Sequence, residues 1–439
     1  MKRSTLVFCL LLVIMSVFSQ QKIKKGFGFG ALPAVSYDSD LGFQYGALVN
    51  LYDYGDGSRY PKYDHSLYLE LSTYTKGTTI ARVRYDSERL IPNVRTTLDI
   101  AYVPDQMADF YGFNGYQSNY NPNELKYPVS AHYDTLNLSG KKYNLFYKNE
   151  KNTFRIKADF QGYFGGSKFG WVAGYAFYNF KMDTVNNTQL KITKVGPTLF
   201  EKYKAWGIID PAEANGGSIN YFKVGLKYDS RDQLACPNKG IFTEAVIQSA
   251  PKFLNQTNPH TKMAIIHRQY FTIAKDLLFA YRLDYQMTLG NDKVPYYAQP
   301  ELITSYLIAA SNQGMGGKSS VRGVLRNRVV GDAVGFGNFE FRYKFLRFEW
   351  LKQNFYLGTN IFFDSGIVLK PIAVDLSHVS ATDKALYFND YAAGKFHSAA
   401  GIGLKIGWNE NFVISADFGK AFDIQDGNTG FYIGLNYLF

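Results

Sequence analysis

The chain is patterned in twos. From Gly337 onward, Phe339, Phe341, Tyr343 and Phe345 alternate with Asn338, Glu340, Arg342 and Lys344, and residues two apart share a face only in an extended strand. One face is wholly aromatic and the other is a row of charges and amide. A strand half-buried in a soluble sandwich would carry aliphatic residues inside and small polar ones outside, so this pattern fits lipid on one face and a wet lumen on the other. The period recurs along the chain. Leu67, Leu69 and Leu71 share a face, and Phe279, Tyr281, Leu283 and Tyr285 alternate with Ala280, Arg282, Asp284 and Gln286.

Sixteen segments carry the period and predict an all-β fold, a 16-stranded antiparallel transmembrane β-barrel. They are 27–37, 41–51, 66–74, 78–86, 94–102, 145–164, 169–180, 219–229, 241–249, 263–273, 277–289, 337–345, 355–364, 397–408, 412–420 and 430–439. Asp38-Ser39-Asp40 is a tight turn, long connections run at 103–142, 181–218 and 290–331, and short and long connections alternate with a few exceptions. Short turns are expected at the periplasmic face and long loops outside. An even strand number returns the chain to the periplasmic side and leaves no backbone edge unpaired in lipid. The last segment places Phe431, Ile433, Leu435, Tyr437 and Phe439 on one face, and its ending, with Gly434, Tyr437 and Phe439, has the form of an outer-membrane assembly signal.

Composition changes the picture in two respects. A length of 439 residues would suit two or three soluble domains, but 35 Tyr, 35 Phe and 40 Gly accompany a slightly negative mean hydropathy. After Ser19 no apolar run approaches the ~18 residues of a membrane helix, so a membrane location means a barrel. Before it, Lys2 and Arg3 precede an apolar run from Leu6 to Phe18, followed by Ser19. Residues 1–19 therefore read as a signal peptide, 20–439 as the barrel, and Cys236 as the single cysteine left after cleavage. Cys9 lies inside the apolar run, which argues against a lipoprotein anchor. The net charge of +11 falls to +9 without Lys2 and Arg3. It is scattered along strands rather than clustered, which points to outer-membrane lipid, lipopolysaccharide and lumenal ion pairs, not to nucleic acid.

Enzyme chemistry has no visible carrier. Gly26-Phe27-Gly28-Phe29-Gly30 lacks the spacing and the helix of a dinucleotide site, and its glycines read as weakening the pairing of a first strand. The six histidines are dispersed without metal spacing, GxSxG and HExxH are absent, and no cofactor or metal is expected. A different constellation stands out. Glu340 and Asp364 both point into the lumen from neighbouring strands, where two carboxylates repel unless a cation lies between them. Arg322, on the glycine-rich loop that enters the same lumen, supplies a planar guanidinium suited to bidentate pairing.

At these residues the chain resembles the BamA/TamA superfamily of outer-membrane barrels, the bacterial surface antigen family. Val321-Arg322-Gly323 resembles its VRGF/Y loop, Phe363-Asp364-Ser365-Gly366 its FDxG strand, and Glu340 its glutamate after that loop. Asp229, Arg231 and Asp232, with Pro237 and Gly240, are similar to its DxRD…PxxG turn. The resemblance implies a sixth outer loop folded into the lumen, Arg322 held by Glu340 and Asp364, and a weakly paired seam between the first and last strands. It also implies a bacterial outer-membrane location and a part in membrane protein assembly or protein translocation. There are two departures from the family pattern. Val324 replaces the aromatic after VRG, and the short stretch from Gln20 to Gly26 leaves no room for POTRA domains. Protein partners are therefore expected: a POTRA-bearing relative, lipoproteins or periplasmic chaperones. A non-catalytic scaffold or surface receptor and a narrow pore are the alternatives.

Overall fold

A computed structural model of the chain describes residues 24–439 apart from 61, 123–125, 129–141, 187–195, 235, 255–257, 306–313, 351–352, 392–393 and 409–411. The leader read at 1–19 lies outside the described residues. Sixteen strands close into one antiparallel barrel. In chain order they are β1 (Phe27–Asp38), β2 (Gly42–Asp53), β3 (His65–Tyr74), β4 (Thr79–Ile91), β5 (Val94–Asp109), β6 (Lys148–Tyr163), β7 (Phe169–Asp183) and β8 (Gly216–Asp229). They continue with β9 (Gly240–Ala250), β10 (His260–Ala274), β11 (Leu277–Leu289), β12 (Ala333–Trp350), β13 (Gln353–Lys370), β14 (His397–Trp408), β15 (Phe412–Ala421) and β16 (Thr429–Leu435). Every expected segment contains a strand, although 145–147 form a 3-10 turn and 436–439 lie beyond the last strand. Several run longer than the alternation suggested, and the added ends of β12 and β13 keep exposed apolar residues such as Phe348, Trp350 and Leu369.

The barrel is polar inside and apolar outside. Leu71, Phe341, Ile361 and Ile402 are exposed to the lipid side, while Arg82, Asp99, Lys157, Asp159, Lys262, Glu340, Asp364 and Lys405 are buried in the lumen. Most of those buried charges are paired across strands, while Lys157 pairs with Asp159 of its own strand and Lys262 donates to main-chain oxygens of Gln299 and Glu301. Arg82 and Arg155 each lie 2.6 Å from Asp99, Lys223 lies 2.7 Å from Asp159, and Lys405 lies 2.7 Å from Asp417. Without such pairing, charges this deep would not stay ionised.

The long connections build an outer cap. Helix α1 (Leu199–Ala205) starts with a capping box, Glu201 N donating to Thr198 Oγ1 and Thr198 N to Glu201 Oε2. Its Phe200 and Tyr203 pack with Phe110, Phe113, Trp206 and Tyr296 in one buried cluster, which Tyr387 of helix α2 (Ala381–Tyr387) joins. Lys202 reaches Asp383 of α2 at 3.2 Å. The aromatics of these loops face each other rather than solvent, so the cap closes over the lumen.

One reading of the sequence, the outward course of the last strand to Phe439, needs correction where the barrel closes. β1 pairs with β2 without interruption from Phe27 to Asp38, so Gly28 and Gly30 leave that ladder intact. The ladder between β1 and β16 has only two partner pairs, Tyr37↔Ile433 and Asp38↔Tyr432, extended by Phe431 N donating to Ser39 Oγ at 2.7 Å. It is short because β16 ends at Leu435. Asn436 takes a left-handed conformation, φ 65°, and the tail turns into the lumen instead of continuing the outward aromatic row. There the Tyr437 ring lies 4.3 Å from the Arg342 guanidinium, Phe439 packs 6.2 Å from Tyr270, and the main-chain oxygen of Phe439 accepts from Arg342 Nη2 at 3.0 Å. Cation–π contact and a charge-assisted hydrogen bond outweigh lipid exposure for these two rings.

Candidate functional site

The site is built from the loop between β11 and β12. Its second limb, Gly314–Asp332, turns back on itself: Met315 bridges Val329, Gly317 N donates to Val324 O at 2.7 Å, and Ser320 Oγ accepts from Gly316 N. Positive φ at Gly316, Gly317 and Gly323 permits the tight reversal. The tip, Ser319 to Gly323, meets the lumenal wall. Arg282 Nη2 donates to Ser319 O and Asn338 Nδ2 to Ser320 O, at 2.8 and 2.6 Å.

Arg322 is 1% exposed. Asp364 on β13 accepts from its backbone N at 3.1 Å, its Nε at 2.8 Å and its Nη2 at 3.1 Å. Glu340 on β12 lies 2.7 Å from Nη2 as an ion pair, and Asp417 on β15 lies 3.7 Å from Nη1. The guanidinium stands 3.5 Å from the centre of the Phe362 ring. The three residues singled out in the sequence are thus brought together, with Asp364 the principal partner. The others sit close by: Val321 is fully buried, and Gly323 N donates to Tyr432 Oη at 3.2 Å. A Cβ on Gly323 would lie 2.8 Å from the backbone of Gly419, so loop and wall touch main chain to main chain. Val324 packs with Val321, Val329, Phe336 and Val368 in one buried cluster. Gly434 is small where Lys318 of the loop passes, 2.5 Å from where its Cβ would be.

Several holding residues were not legible in the sequence. Asp417 and the Phe362 ring complete the arginine site, and Lys405 and Arg342 give Asp417 and Glu340 a second cation each, at 2.7 Å. Above the tip, Arg326 pairs with Asp109 at 2.7 Å and Asp105 at 3.0 Å. Arg328 donates to three loop carbonyls, of Gly115, Ser118 and Gln425. His397, stacked 4.0 Å from Tyr116, shares Asp426 with it. The only hint was the run Arg322, Arg326, Arg328; its partners lie up to about two hundred residues away.

The motif at the β8–β9 turn closes on itself. Arg231 donates to Asp229 through Nε at 2.9 Å and Nη2 at 2.7 Å, and Asp232 Oδ1 accepts from Asn238 N at 3.0 Å. Gly240 has φ +108° and passes so close to Ser230 O that a Cβ would sit at 2.5 Å. The turn carries Cys236, next to Pro237, to a cluster where it packs on Tyr356, Val413 and Tyr437.

A closed barrel, polar inside and apolar outside, with a loop arginine fastened to carboxylates of its inner wall defines a class: transmembrane β-barrels that hold one of their own loops against the lumenal wall. The Omp85 superfamily domain matches residues 63–439, and the chain belongs to that superfamily. Among solved structures it is similar to BamA from Haemophilus ducreyi lacking POTRA domains 1–3, with 14% identity, a TM-score of 0.54, and 94% of this chain and 70% of that chain covered. It is also similar to CdiB from Escherichia coli, with 8% identity, a TM-score of 0.56, and coverage of 93% and 62%. At these identities the likeness is one of fold, and the chain spans less than two thirds of that CdiB chain. No curated protein sequence matches it.

Proposed function

We propose that the protein assists insertion or translocation of other proteins at the bacterial outer membrane, through the seam between β1 and β16 and beside partner proteins. The observation that carries this reading is the unpaired edge. β16 meets β1 at two residue pairs, and along Phe27–Ser36 the outer edge of β1 has no strand partner among the described residues. An open edge in lipid leaves N–H and C=O groups that a client strand can satisfy. The test is Tyr37→Cys with Ile433→Cys, which oxidation bridges across the seam. The bridged barrel should lose its ability to sustain outer-membrane protein levels in cells lacking the native copy, and reductant should restore it. Undiminished activity of the bridged form refutes the reading. Gentle extraction is expected to bring along a POTRA-bearing relative, lipoproteins or chaperones. Lipopolysaccharide is the proposed lipid neighbour of the basic charge.

A scaffold or surface-receptor role is the second reading, favoured by the aromatic outer cap with α1 and α2. Recovery of stoichiometric partners without any assembly defect on deletion would select it. For the narrow-pore alternative, both described limbs of the loop stand in the lumen, and single-channel conductance is the test.

A further inference from the structure

The first limb of the same loop is held differently from the tip. Residues Gln299–Ser305 pair with no strand among the described residues, yet their main-chain groups are bonded to wall side chains one after another. Lys262 Nζ donates to Gln299 O and Glu301 O, both at 3.3 Å, and Gln286 Nε2 donates to Glu301 O at 3.0 Å. Gln286 Oε1 accepts from Ile303 N at 2.8 Å. Lys223 Nζ donates to Thr304 O and Ser305 O at 3.1 and 3.2 Å, Gln161 Nε2 donates to Ser305 O, and Glu244 Oε1 accepts from Ser305 N, both at 3.2 Å. Side-chain contacts are fewer: Ile303 packs on Val246 and Ala264, and Glu244 and Lys151 take Thr304, Ser305 and Glu301.

From this we infer that the β6–β11 wall is a binding site for polypeptide main chain, now filled by the protein's own residues 299–305 and open to a client segment when that limb leaves. Every residue offers the same N–H and C=O groups, so lysines and glutamines aimed at them recognise a chain largely without regard to its sequence. Strand-edge binding gives affinity in the same way, through main-chain bonds, with pockets such as that of Ile303 adding selectivity. The inference rests on the proposed role in handling proteins, but its test does not need the seam to open.

In the full chain, residues 299–305 are deleted and their ends joined through a one-glycine linker, which leaves the wall without that stretch of main chain, and a fluorescein-labelled peptide with the sequence of 299–305 is titrated by anisotropy. Binding should be at least tenfold tighter than to the unaltered protein, whose groove is filled, and should fall at least tenfold with Lys223→Met and Lys262→Met. A scrambled peptide that keeps an apolar residue at the Ile303 position should bind within threefold. A peptide N-methylated at the Ile303 and Ser305 positions should bind at least tenfold more weakly. A folded, heat-modifiable linker barrel that binds no more peptide than the unaltered protein overturns the inference, as does binding confined to the native sequence. If the linker barrel does not fold, Lys223→Met with Lys262→Met in the native loop is read through maleimide labelling of Thr304→Cys. Labelling that rises tenfold supports main-chain capture, and labelling that stays unchanged overturns it. Peptide binding that persists while the seam bridge leaves activity intact would sink the seam reading alone.

Discussion

Replacing Arg322 by alanine should release the loop tip, and the structure says by how much. Glu340 keeps Arg342 and Asp417 keeps Lys405, each at 2.7 Å, so neither is stranded. Asp364 loses both side-chain donations and is left buried with an uncompensated charge. Removing one partner of a buried pair costs about 3–5 kcal/mol. At 1.4 kcal/mol per factor of ten, the lifted tip becomes about a hundred- to a few-thousand-fold more populated. The assay is the maleimide labelling rate of Val321→Cys, a buried position, with Cys236 replaced by alanine so that it is the only thiol besides Cys9. When opening is fast relative to labelling, that rate follows the open population. Asp364→Asn alone should matter less, about 1.5–3 kcal/mol for lost charge-assisted bonds, because Arg322 keeps Glu340 and Asp417. Combined with Arg322→Ala it should recover part of the loss, since a neutral amide is no longer a stranded charge, giving a coupling of about 1–3 kcal/mol. Labelling of Arg322→Ala within threefold of the parent, or purely additive single effects, refutes the reasoning.

Two further outcomes follow from the same contacts. Gly323→Ala places a Cβ 2.8 Å from the Gly419 backbone at φ +99°, and Gly419→Ala places one 2.6 Å from Arg322 O. Each should raise the labelling rate at position 321, and together they should be markedly less than additive, because a lifted tip meets neither clash; full additivity would mean that the two glycines do not face each other. In the β1–β2 turn, burial beside Asp38 and Asp109 pushes the Asp40 carboxyl from 3.8 up to about 7, against the pull of Arg326 and Lys76. The folded chain then holds a proton that the unfolded chain gives up, so this group's contribution to stability falls as pH rises from about 4 to about 7. Thermal unfolding in detergent at pH 5 and pH 8 should show a smaller drop for Asp40→Asn than for the parent; equal drops would contradict it.

Alternation by itself determined the barrel, its strand count and its faces, because a strand between lipid and a wet lumen must change polarity at every residue and the chain has no other means of hiding its backbone. It also exposed Arg322, Glu340 and Asp364, since inward carboxylates call for a cation and the loop motif offers one. The end of β16 was beyond its reach. Tyr437 and Phe439 continue the outward period, and only the tertiary structure, which brings Arg342, Arg282 and Tyr270 within reach of the tail, turns them inward. The same limit hid Asp417 behind Arg322, Asp105 and Asp109 behind Arg326, and the lysines behind Gln299–Ser305. Periodicity reports which side of a strand a residue faces, but closure of the barrel decides what stands opposite it across the lumen, and that is where this protein's loop, tail and seam are held.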